Sequence, residues 1–81
     1  MMTRQIDISK STLRELCQSH GVDVLALSRA SYVDPLLIWD ALIGNATTRE
    51  TLHMMLYGLN ELKGTHYTLA DIQANLGHEE V

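Results

Sequence analysis

The chain of 81 residues holds one cysteine, one proline, one tryptophan and no phenylalanine. A lone Cys17 excludes an internal disulfide, and in a reducing cytoplasm it is expected to act as a small buried hydrophobe. The scarcity of aromatics, against plentiful Leu, Ala, Ile, Val and Met, favours helices over strands. No apolar run approaches the length of a membrane span, and no secretory signal is read at the start, so a cytoplasmic protein is expected. Positive charge is also scarce. Arg4, Lys10, Arg14, Arg29, Arg49 and Lys63 lie scattered among ten acidic residues, for a net charge of −4. That excludes a strong non-specific nucleic-acid binder, whose affinity needs many phosphate contacts, but it permits a local patch.

Several kinds of chemistry have no residues to carry them. There is no glycine-rich phosphate loop, no recognisable Ser-His-Asp order and no Cys-x-x-Cys. His20, His53, His66 and His78 form no i, i+4 pair with one another or with Cys17. The expectation is therefore a protein that is not an enzyme, with no metal, no cofactor and no small-molecule substrate. The doubled Met54-Met55 and the nearby Tyr57 read as core and surface filler. Tyr67 is expected to pack the C-terminal segment onto the fourth helix.

What the chain does have is regular punctuation. An apolar fraction of 46% and the absence of linkers or repeats point to one globular domain over residues 1–81, near the lower size limit for an unstapled core. Thr12 with Glu15 has capping-box spacing, which predicts a first helix from about Thr12 to Ser19, stopping at Gly21. Leu13, Leu16 and Cys17 should face inward from it. Asp23 can cap a second helix with Leu27 and Ala30 directed inward, and Asp34-Pro35 opens a third that ends at Gly44. Thr47 with Glu50 predicts the start of a fourth, longer helix ending near Gly64, with Leu52, Met55, Leu56, Leu59 and Leu62 on one face. Thr68 with Asp71 marks a fifth helix or turn. Alternatively, Ile72, Ala74 and Leu76 form a strand beside the "QIDIS" segment, where Ile6 and Ile8 also alternate. The expected class is all-α: a compact bundle of about five short helices, with a possible small terminal strand pair.

Only "SYV" joins the second and third helices, too little for anything but a tight turn. With "TLRELCQSHGV", "LALSRASYV", "IWDALIGN" and "TRETLHMML", the chain resembles the Xre/Cro-type, lambda-repressor-like helix-turn-helix family over about residues 11–62, leaving 65–81 as a C-terminal extension. Gly21 and Gly44 match the glycines that end that family's first and third helices. Leu27, Val33 and Ile38 match its core positions, and Ser31 its small residue before the turn. The resemblance implies a prokaryotic, DNA-binding transcriptional regulator acting as a dimer. Three positions depart from the family. Cys17 stands where an arginine is usual. Tyr32 stands where the turn usually has glycine, which requires either another backbone conformation or a tolerated strain. At the base-reading positions the chain has Asp34, Pro35, Leu36, Leu37 and Trp39, which bring one side-chain donor between them.

The third helix is apolar almost all round. Ile38, Ala41 and Leu42 suffice to meet the rest of the fold, which leaves Leu36, Trp39 and Ile43 to be explained. A terminal segment could fold over them, a protein partner or second copy could dock on them, or they could press against DNA. The recognition or partner face is thus Asp34, Leu36, Leu37, Trp39, Asp40 and Ile43. Arg29, Asn45, Thr48 and Arg49 are the candidates for the DNA backbone; ordinary solvated surface accounts for the arginines equally well. The alternative to DNA binding is a helix-turn-helix fold turned to protein contact or dimerisation through its apolar third helix.

Overall fold

In the computed structural model, which describes residues 10–76, each helix begins where a short polar side chain can satisfy its first free N–H groups. The Thr12 hydroxyl accepts from the Glu15 N–H, and the Glu15 carboxylate accepts in return from the Thr12 N–H, closing a capping box over α1, Leu13–His20. Asp23 caps α2, Val24–Ser31, by accepting from the Ala26 N–H at 2.8 Å. Asp34 does the same for α3, Pro35–Leu42, accepting from the Leu36 N–H, with Pro35 in the first turn where it removes no needed donor. The longest helix, α4, covers Arg49–Lys63 and ends on Gly64 in the left-handed conformation.

The start of α4 differs from the sequence expectation by one residue. Thr48, not Thr47, is the cap, and its hydroxyl accepts from the Thr51 N–H. Thr47 has another role: its N–H donates to the Asn75 carbonyl at 2.9 Å, which holds the chain extended for one more residue. Leu62, expected on the inner face, is exposed. It lies at the edge of the stripe formed by Leu52, Met55, Leu56 and Leu59 rather than at its centre.

Among the described residues the fold is mostly helical, with four helices rather than about five. In place of a fifth helix there is one 3-10 turn, Leu69–Asp71, whose Asp71 carboxylate accepts from the Thr68 N–H and hydroxyl. Two short strands follow the same logic of partial realisation. β1, Ser11–Thr12, pairs in parallel with β2, Ile72–Gln73, in the register Ser11 to Ile72 and Thr12 to Gln73. The expected partner segment with Ile6 and Ile8 lies outside the described residues, and Ala74 and Leu76 fall beyond β2.

A single core joins all of these elements. Leu13, Leu16 and Cys17 of α1, Leu27 of α2, Val33, Ile38 of α3, Leu52, Met55, Leu56 and Leu59 of α4, and Ile72 of β2 are buried together. Burial pushes the Cys17 thiol from its ordinary value of 9.0 up to about 11, by desolvation of the thiolate, so it stays protonated and inert at neutral pH. The C-terminal segment is laced into this body. The Asn60 side chain accepts from the Tyr67 N–H and the Thr65 hydroxyl, and donates to the Tyr67 carbonyl. The Tyr67 hydroxyl lies 3.0 Å from His20 Nε2 at the end of α1, with the two rings edge to face. Tyr67 therefore does pack the segment onto α4, and onto α1 as well. Among the described residues no helix is long and apolar enough to cross a membrane.

Candidate functional site

The connection between α2 and α3 consists of Tyr32, Val33 and Asp34. Val33 is the anchor: its side chain is buried, and its peptide groups are gripped from both sides. The Ser28 hydroxyl donates to the Val33 carbonyl at 2.7 Å, and the Ser31 hydroxyl accepts from the Val33 N–H at 3.3 Å. With both ends clamped, the residue between Ser31 and Val33 must turn sharply. Tyr32 does so at φ 63° and ψ 23°, its N–H donating to the Ser28 carbonyl. This is the left-handed conformation that Gly21 and Gly64 adopt at the ends of α1 and α4, and Tyr32 is the one non-glycine residue with positive φ among those described.

The sequence left two options for Tyr32, and the strained one is realised. For a residue with a Cβ, that conformation costs about 1–2 kcal/mol. Tyr32→Gly is accordingly expected to stabilise the fold by about 0.5–1 kcal/mol, because the relieved strain exceeds the extra backbone entropy that glycine loses. Urea denaturation would check this, and a loss of stability would mean that the phenol ring contributes more to the monomer than its exposure allows.

Beyond this turn α3 buries one side only. Ile38 is fully buried, and Ala41 and Leu42 pack at the edge of the core. The opposite side is open among the described residues: Leu36 is 74% exposed, Trp39 54%, Ile43 52% and Leu37 50%. Leu36, Trp39 and Ile43 follow one another at helical intervals of three and four, so they form a stripe along one face. Tyr32, in the turn that precedes α3, is 84% exposed. Leu25 and Arg29 on α2 are exposed too, at intervals that lead toward Tyr32.

Several of the polar candidates serve the local structure. Asp34 is exposed and committed to its cap. Asp40 accepts from the Asn45 side-chain amide at 3.1 Å, a contact that closes the end of α3 and ties down a residue expected to touch DNA. The Thr48 hydroxyl caps α4 and donates to the Thr51 hydroxyl. Arg29 and Arg49 are exposed, in the last turn of α2 and the first turn of α4. Arg49 also lines a shallow depression with Glu50, His53 and Met54.

No cation stands on α3 itself, and among the described residues no three His, Cys, Asp or Glu side chains gather where they could hold a metal. Sequence reasoning named Leu36, Leu37, Trp39 and Ile43 as a recognition or partner face, with a covering terminal segment as the other option for the third helix, and these four side chains are exposed. It did not assign Tyr32, the most exposed of the group. The available signal was a bulky residue at a glycine position, four places ahead of Leu36. No protein-family model, no curated protein and no solved structure matches this chain.

Proposed function

We propose that the chain is a helix-turn-helix domain that binds duplex DNA as a transcriptional regulator. One observation carries this reading: a three-residue turn, locked by two serine hydroxyls on Val33, leads into a helix whose outer side faces solvent along its length. In the family that the sequence resembles, that helix lies in the major groove. Arg29 before the turn and Arg49 with Thr48 at the start of α4 then serve the flanking phosphates, helped by the first N–H groups of α4. Leu36, Leu37 and Ile43 match thymine methyl groups, and the Trp39 indole N–H is a single donor to base edges.

With so few cations the affinity is expected to be modest and its salt dependence shallow. Two phosphate contacts correspond to a slope of about −1.8 in log affinity against log salt. The double substitution Arg29→Ala with Arg49→Ala is expected to weaken low-salt binding at least about tenfold and to remove most of that slope, with an unchanged far-UV spectrum. A gel-shift titration against a random duplex library at low salt checks it. Failure to retard any duplex at high protein concentration would sink the proposal.

A further inference from the structure

We infer that α4 has two alternative starts and that the segment 74–76 selects between them. Docked, the segment holds the cap at Thr48. Lifted, it lets Thr47 and Glu50 close a capping box, which lengthens α4 by one residue and shortens its connection to α3.

The chain supplies both starts. Thr12 with Glu15 and Thr68 with Asp71 have the spacing of a capping box, and both boxes form. Thr47 with Glu50 has the same spacing at the head of the longest helix, yet there the cap is Thr48, in an extended backbone at φ −93° and ψ 158°. The Thr47 N–H, which the Glu50 carboxylate would take in a box, donates to the Asn75 carbonyl at 2.9 Å.

The exchange between the two starts is bond for bond. Docked, the Thr47 N–H goes to the Asn75 carbonyl, the Thr51 N–H to the Thr48 hydroxyl, and the Asn75 side-chain amide to the Gly44 carbonyl. Lifted, the Glu50 carboxylate takes the Thr47 N–H, the Thr47 hydroxyl takes that of Glu50, and the Thr47 carbonyl takes that of Thr51. The hold of the segment itself therefore decides. That hold is peripheral: Asn75 is exposed and Leu76 is only partly buried. Upstream, buried Ile72 and the bonds between Tyr67 and Asn60 anchor the chain separately, so residues 74–76 can lift while the rest stays folded.

The consequence reaches α3. Turning Thr48 from extended to helical cuts its rise from about 3.3 to about 1.5 Å, which removes about 1.8 Å from the connection. Asn45 passes that change on, because its N–H donates to the Asp40 carbonyl and its side-chain amide to the Asp40 carboxylate. The device needs no duplex. Where a duplex is bound as proposed above, it acts on α3 and Thr48, two of the elements assigned to that contact.

NMR of the full chain tests this through the carbon shifts of Thr48 and the hydrogen exchange of the Glu50 N–H. In the wild type Thr48 should show the shifts of an extended residue, and the Glu50 N–H should exchange rapidly. The double variant Asn75→Gly with Leu76→Asp removes the docking contacts. Its Thr48 shifts should become helical, and its Glu50 N–H should exchange several-fold more slowly. Thr48→Ala reaches the same state from the other side by deleting the present cap, and should slow the Glu50 N–H as well. Adding Thr47→Ala to either should abolish the slowing, since without that hydroxyl the box cannot close. The fold is kept throughout, because none of the substituted residues belongs to the buried cluster. Thr48 shifts that stay extended in the double variant, with a Glu50 N–H that stays fast in both, overturn the inference. So does a slowing that survives Thr47→Ala.

Discussion

Replacing Gly58 by alanine is expected to lower the stability of this domain by about 1–3 kcal/mol, although alanine is the better helix former by about 1 kcal/mol. Gly58 is buried in the middle of α4, where α2 crosses it. A Cβ built at this position would sit 2.7 Å from the Ser31 Cβ, 2.8 Å from the Ser31 nitrogen and 2.9 Å from the Ser31 Cα. Two of those three atoms are backbone, and they belong to the residue from which the clamped turn springs. They cannot rotate away as the tip of a flexible side chain would. The added methyl must push α2 off α4, loosening the layer in which Leu27, Met55 and Leu59 are fully or almost fully buried.

For a domain of this size, each kcal/mol corresponds to roughly 4–8 °C in Tm, so a fall of about 4 °C or more should be visible in a thermal melt. Adding Ser31→Gly should restore little, because it removes one clashing atom and leaves the nitrogen and Cα in place. A Gly58→Ala protein as stable as the wild type would mean that α2 and α4 do not approach this closely.

The second large effect separates the two sides of α3. Ile38→Ala should cost about 2–5 kcal/mol, because Ile38 is completely buried and its removal leaves a cavity among α1, α3 and the rest of the core. Leu36→Ala, two residues earlier on the same helix, should change stability by no more than about 0.5 kcal/mol. Total stability for a domain of this length is on the order of 4–12 kcal/mol, so the first substitution removes a large share of it. Chemical denaturation with a common m-value would measure both. Equal losses at the two positions would contradict the orientation of α3, and with it the duplex reading.

Much of the architecture was legible because its causes are local. A cap is satisfied within three residues, so Thr12 with Glu15, Asp23, and Asp34 with Pro35 announce α1, α2 and α3 almost to the residue. That α3 carries more apolar side chains than one neighbouring surface can take was legible as well, though not what becomes of the surplus. The start of α4 was less so. Thr47 and Thr48 are equivalent as local signals, and the choice between them falls to Asn75, 28 residues away in the chain, whose carbonyl takes up the Thr47 N–H. Leu62 failed because it sits at the edge of the apolar stripe of α4, where local spacing does not say how far the cover reaches.

By itself, then, the sequence determined the positions of the helices, the short reach from α2 to α3, and the surplus of apolar side chains on α3. Only the tertiary structure decided that Tyr32 accepts a left-handed backbone, that Gly58 and Ser31 bring α4 and α2 into contact, and that the segment from Tyr67 onward threads back to pair in parallel with Ser11–Thr12. The first group depends on hydrogen bonds and steric preferences within one turn of chain. The second depends on atoms from remote segments competing for the same space, a competition that no local spacing encodes.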